Sequence, residues 1–190
     1  VEGELAPQRA VVDTHHQLLH GALEPPAPGA FEVLVARDGH RVVIVDRDDG
    51  PGGKPCGELV TPRAVTALGH LGLGDDELAR FHRVTQLRLT TASASTTTRW
   101  PSHDDHPDHA YVAPRHELDE LIVGRALAAG ATLLRGHEAT APVVDRGFVR
   151  GAHVVRGDDA FEIRARLTVV ADGANSRFGR VQNPAMEAVC

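Results

Sequence analysis

Apolar residues along this chain recur at two periods, which separate strands from helices. Residues 40–46, His-Arg-Val-Val-Ile-Val-Asp, form a β-branched run ending on an acid, the pattern of a strand buried on both faces of a parallel sheet. Leu118, Leu121, Ile122, Ala126 and Ala129 recur at helical spacing, which predicts a helix over 116–129 ended by Gly130. Residues 131–134 follow as a short strand. Residues 31–38 read as a short helix closed by Gly39, since glycine takes the left-handed conformation at a helix end cheaply. Thr61 is placed to cap a helix whose first residue is Pro62, where a missing N–H costs nothing, and which runs to Gly69 or Leu71. Residues 75–81 read as a further short helix with acids in its first turn.

Alternation marks the remaining strands. In residues 84–90, Leu87 and Leu89 share one face against Gln86, Arg88 and Thr90 on the other, and residues 96–100 are the expected antiparallel partner. Residues 139–144, 148–155 and 161–163 are separated by Asp145-Arg146-Gly147 and Gly157-Asp158-Asp159, which reads as a β-meander inserted before residues 167–171 return to the main sheet. The runs 40–46, 131–134 and 167–171 are expected side by side as parallel strands with right-handed crossovers. Residues 1–30 show no sustained periodicity and carry Pro25, Pro26 and Pro28, so they read as irregular.

Composition narrows the class. A chain of 190 residues has room for one domain and can bury about 70% of its unfolded surface. With 42% hydrophobic and 24% charged residues it reads as a soluble globular protein, and no run approaches the ~18 apolar residues needed to cross a bilayer. A net charge of −6, one Trp and one Tyr argue against a nucleic-acid binder, which needs basic surface and stacking platforms. The two cysteines, Cys56 and Cys190, make a poor disulfide framework, and the N-terminus lacks the layout of a signal peptide, so a cytoplasmic location is expected.

Candidate chemistry lies at the ends of the predicted strands. Asp46 ends the 40–46 strand, where a carboxylate can accept both ribose hydroxyls of the adenosine half of a dinucleotide. Lys54-Pro55-Cys56-Gly57-Glu58 and Thr61-Pro62-Arg63 follow at a short, glycine-rich distance. Further along come Tyr111-Val-Ala-Pro-Arg115-His-Glu-Leu118-Asp119 and Ala171-Asp172-Gly173-Ala174-Asn175-Ser176-Arg177. In this order the blocks resemble the geranylgeranyl reductase family of FAD-dependent oxidoreductases, and the likeness covers residues 36–180. It implies an α/β, Rossmann-like FAD/NAD(P)-binding domain over 31–180 with a parallel sheet and an inserted β-meander, an irregular segment before it and a tail over 181–190. Members of that family are considerably longer, which makes this chain look truncated.

The resemblance also implies roles. FAD is the cofactor and NAD(P)H a possible electron donor. Asp46 would hold the ribose, Cys56 and Gly57 would lie against the flavin ring, Arg115 would reach a cofactor oxygen, the backbone of Ala139 would contact the adenine region, and Asp172 with Gly173 would hold the ribityl or pyrophosphate region. The implied substrate is an isoprenoid or other small apolar molecule, with peripheral membrane contact possible and no catalytic acid or base identified. An aromatic monooxygenase sharing the Asp-Gly fingerprint is an alternative, and so is a non-catalytic remnant that folds without FAD. Two departures favour the last: Leu23, Pro25 and Pro28 stand at the three glycine positions of the phosphate-binding turn, and Leu59 stands where the family has glycine. Proline has no N–H to offer a pyrophosphate, so FAD binding is expected to be weak or lost.

The cluster His103-Asp104-Asp105-His106-Pro107-Asp108-His109 invites a metal reading, but its ligand types are crowded into one proline-containing loop without a second cluster. It reads better as a solvated acidic loop, with no metal. His15, His16 and His20 read as surface residues.

Overall fold

The computed structural model describes residues 9–12, 30–50, 58–101, 103–171 and 178. Elements run in chain order as β1 (Arg9–Val12), α1 (Ala30–Arg37), β2 (Val42–Asp46), β3 (Leu59–Val60), α2 (Pro62–His70), α3 (Asp75–Leu78), β4 (His82–Val84) and β5 (Gln86–Thr90). There follow β6 (Ser95–Arg99), β7 (Ala110–Val112), α4 (Arg115–Ala128), β8 (Thr132–Arg135), β9 (Glu138–Asp145), β10 (Phe148–Arg156) and β11 (Asp159–Arg164). They group into two compact units, one of Val1–Pro51 with Ala126–Cys190 and one of Gly52–Arg125.

The first unit is built on a parallel sheet in the order β1-β2-β8. Its middle strand is the β-branched run: Val42, Val43, Ile44 and Val45 are all buried, as a strand covered on both faces requires. Helix α1 leads into it, burying Val33 and Ala36, and closes where the N–H of Gly39 donates to Ala36 O at 3.0 Å. The expected meander is present as an antiparallel sheet in the order β11-β10-β9. Val43 and Val45 of the parallel sheet and Ala139, Ala152, Val154 and Ile163 of the meander form one core with Ala165 and Phe178. A bulge interrupts β10 between Val149 and Ala152. There Gly151 has φ 141, and a Cβ built on it would lie 1.9 Å from the carbonyl oxygen of Ile163, so only glycine lets these strands close.

Two expectations about this unit need correction. Residues 9–12 are not irregular: Arg9-Ala-Val-Val pairs in parallel with β2, Arg9 opposite Val42 and Val12 opposite Val45. Four residues are too few to show a period, and what makes them a strand is the open edge of β2. Residues 167–171, in turn, form no strand beyond a single bridge at Val170. The described parallel sheet is β1-β2-β8, with β1 and β8 flanking the central strand, and Leu167 is 55% exposed.

The second unit holds the antiparallel sheet β3-β7-β4 and the hairpin β5-β6. The expected hairpin is present as β5 paired antiparallel with β6, Gln86 opposite Arg99, while Val84, at the head of the expected run, instead ends β4, which pairs with β7. Helix α2 buries Ala64, Val65 and Leu68, and α3 buries Leu78. Thr61 precedes α2 as expected, but its side chain makes no capping bond; its carbonyl instead accepts the N–H of Val65 at 2.9 Å. Helix α4 buries Leu118 and Ile122 and ends in a turn where the Ala131 N–H donates to Ala126 O at 3.0 Å. No described helix is long and apolar enough to cross a membrane.

Candidate nucleotide-binding site

In a parallel sheet all strands end on the same side, and ligands bind outside that carboxyl edge. Here β2 ends on Asp46, which pairs with Arg135 at the end of β8. The Asp46 carboxylate curls back so that Oδ1 accepts the Asp48 N–H at 3.1 Å. The chain leaving β8 closes onto the loop after β2. Gly136 N–H donates to Asp48 O at 3.2 Å and His137 N–H donates to Asp46 O at 2.9 Å. The approach is tight, since at Gly136, with φ 66, a Cβ would lie 2.2 Å from Asp49 Oδ1. The imidazole of His137 lies 2.6 Å from the Arg135 carbonyl through Nδ1 and meets the Phe161 ring edge-on at 5.9 Å. Ala139, two residues further and the second residue of β9, is buried in the same core as Val45.

Arg115 belongs to the second unit. It is the first residue of α4 and is buried rather than solvent-facing, its Nε donating to Asp119 Oδ1 at 2.6 Å one turn on. The loop before β7 also departs from its expected solvated character. His109 is 3% exposed. Arg83 donates to its Nδ1 at 2.9 Å, and because a guanidinium can only donate, the ring proton sits on Nε2, 3.1 Å from Asp75 Oδ1. Tyr111 donates its hydroxyl proton to the same oxygen at 3.1 Å. Burial, the largest influence on Asp75, pushes its carboxyl up, but the hydrogen bonds from His109 and Tyr111 and the nearby Arg83 charge outweigh it and hold the group below its ordinary value. Tyr111 is pushed up, by burial first and then by the Asp75 carboxylate.

The other histidines of that loop do different work. His103 and His106 stack at 5.0 Å, and the Thr66 hydroxyl on α2 lies 3.2 Å from His106 Nδ1 and 3.0 Å from the Asp105 carbonyl. Among the described residues no three His, Cys, Asp or Glu side chains gather in a metal-holding group.

Of the residues expected to touch a cofactor, Asp46 and Ala139 thus share the first unit, and Arg115 opens the helix of the second. Cys56, Gly57, Asp172 and Gly173 lie outside the described residues, as do the glycine-turn positions Leu23, Pro25 and Pro28. Sequence reasoning missed His137, and it missed the grouping of Arg83, Asp75, His109 and Tyr111. His109 and Tyr111 stand two apart on an extended segment and so share a face, a signal that was available. His137 could have been noticed as the second residue beyond a strand's carboxyl end.

A parallel sheet with an acid at the carboxyl end of its second strand and an antiparallel meander packed against it defines a dinucleotide-binding α/β domain. The family model for the FAD binding domain matches residues 31–187, and the chain belongs to that family, whose cofactor is FAD. It is 36% identical over 155 residues to the menaquinone reductase of Mycobacterium tuberculosis (strain CDC 1551 / Oshkosh), a match covering 82% of this chain and 37% of that protein. The chain therefore spans little more than a third of that relative. Among solved structures it is similar to the myxobacterial chondrochloren halogenase, an FAD-dependent halogenase, with TM-score 0.75 and 22% identity over 92% of this chain and 39% of the other. It is also similar to a geranylgeranyl bacteriochlorophyll reductase-like protein of Thermoplasma acidophilum, with TM-score 0.69 and 20% identity over 90% and 41%. These two likenesses establish the fold.

The described residues fit the adenosine half of FAD. Asp46 offers a carboxylate oxygen at the carboxyl edge, and Gly136 with His137 form a backbone wall beside it.

Proposed function

We propose that this chain is the flavin-binding part of an FAD-dependent reductase that saturates a carbon–carbon double bond of an isoprenoid substrate. The observation that carries this reading is the 36% identity to a menaquinone reductase over 82% of the chain. Menaquinone bears an isoprenoid side chain, and the Lys54-Pro55-Cys56-Gly57 and Tyr111 to Asp119 blocks resemble geranylgeranyl reductases, which act on the same kind of chain. When bound and reduced by NAD(P)H, the flavin would supply the hydride that, with one proton, saturates the bond, leaving oxidised FAD. Asp46 would hold the ribose hydroxyls, and Arg115, already oriented by Asp119, would face a cofactor oxygen. A substrate of this kind resides in lipid, so peripheral membrane contact goes with the reading.

The test is flavin uptake followed by anaerobic incubation with NAD(P)H and menaquinone, with products resolved by mass spectrometry. The expected product carries one added H2 in its prenyl chain. H2 appearing only on the quinone ring would exclude isoprenoid reduction, and absence of flavin uptake would exclude the cofactor.

A further inference from the structure

The contacts around His137 carry more information than a loop anchor needs. Its backbone N–H is spent on Asp46 O at 2.9 Å, which seats the residue beside the carboxylate that meets the ribose. Its ring is oriented twice, by Nδ1 at 2.6 Å from the Arg135 carbonyl and by edge-on contact with Phe161 at an interplanar angle of 73°. A carbonyl oxygen can only accept, so the proton is on Nδ1 and Nε2 presents a lone pair. Two acceptors therefore belong to the adjoining segments that end β2 and β8, the Asp46 carboxylate and, in the neutral ring, Nε2 of His137, whose imidazole packs edge-on against Phe161. Adenosine presents donors of both kinds, ribose hydroxyls and the 6-amino group of its base. Inosine and guanosine present a carbonyl oxygen at that position, which would oppose the lone pair.

We propose that His137 reads the 6-amino group of the adenine ring, so that this edge selects adenosine-containing cofactors over their 6-oxo counterparts. The proposal rests on the FAD reading and adds to it a residue that sets base specificity.

Calorimetric titration of the full chain with AMP, IMP, FMN and FAD tests it without turnover. The wild-type chain should bind AMP about tenfold or more tighter than IMP, as expected when an acceptor is left facing an acceptor. His137→Phe keeps an aromatic ring against Phe161 but has no acceptor, and should weaken AMP and FAD while leaving IMP and FMN unchanged, bringing the AMP to IMP ratio to about one. His137→Gln restores a carbonyl acceptor and should recover part of that ratio. Equal AMP and IMP affinities in the wild-type chain, or an unchanged ratio in His137→Phe, overturn the specificity role and leave the FAD reading standing. Failure of the wild-type chain to bind either FAD or AMP overturns both.

Discussion

Tyr111 and Asp75, 36 residues apart, meet at 3.1 Å through the tyrosine hydroxyl and the same carboxylate oxygen that faces buried His109. The contact joins β7 to the start of α3 within the second unit and shifts both groups. Asp75 lies below its ordinary 3.8, so its contribution to stability is present above that pH and is lost as pH falls through the lowered value. Tyr111 lies above its ordinary 10.0, so its contribution is present below that pH and is lost as pH rises through the raised value. The Asp75 side chain is 62% exposed, and solvent screening keeps its share under about 1 kcal/mol. Urea midpoints measured against pH should show a shallower acid limb in Asp75→Asn and a shallower alkaline limb in Tyr111→Phe. Limbs unchanged from wild type would remove this linkage.

His109 and its neighbours in the histidine loop should separate cleanly. Replacing His109, which is 3% exposed and bonded on both nitrogens, by Ala should cost about 2 kcal/mol or more. His103→Ala combined with His106→Ala should cost less than about 1 kcal/mol, and elemental analysis of untagged protein should find substoichiometric metal in both. Stoichiometric metal lost on the double substitution would reverse the reading of this loop.

The Arg115–Asp119 pair is buried on both sides, at 7% and 5% side-chain exposure. Asp119→Ala strips a desolvated guanidinium of a carboxylate partner and should cost about 3 to 5 kcal/mol in chemical denaturation. The joint change Arg115→Met with Asp119→Leu should cost much less, because both charges leave together. If the double variant is as unstable as the single one, the penalty comes from packing and not from charge.

At the bulge in β10, Gly151→Ala must push a methyl group into the Ile163 carbonyl. Loss of at least about 2 kcal/mol is expected, with amide exchange accelerated across β10 and β11. A neutral result would mean that this sheet relaxes far more readily than its register implies.

The proposed ribose role of Asp46 and the altered phosphate turn each carry an expectation for cofactor affinity. With Leu23, Pro25 and Pro28 at the glycine positions, backbone contacts to pyrophosphate worth about 1.5 to 3 kcal/mol each are expected to be missing, so FAD should bind no tighter than micromolar. Asp46→Ala should weaken what binding there is by about tenfold. A submicromolar constant for the wild-type chain would show that another segment meets the phosphates, and an unchanged constant in Asp46→Ala would remove the ribose role.

Local pattern by itself determined those elements whose reason for existing is local. The β-branched run of β2, the heptad-like spacing of α4, the short helices α1, α2 and α3 and the three strands of the meander all stand where periodicity and turn residues put them, because burial on one or two faces dictates which side chains such elements can carry. Motif order was enough to reach the FAD-binding family. Tertiary structure decided what depends on a neighbour. Arg9–Val12 is a strand because it pairs along β2, residues 167–171 make no ladder beyond a bridge at Val170, and Val84 ends β4 against β7 whereas Gln86–Thr90 pairs with β6. It also decided that His109 and Arg115 are buried and that Asp46, Gly136 and His137 stand together, since hydrogen bonds between residues as far apart as Asp46 and His137 leave no trace in the spacing of either segment.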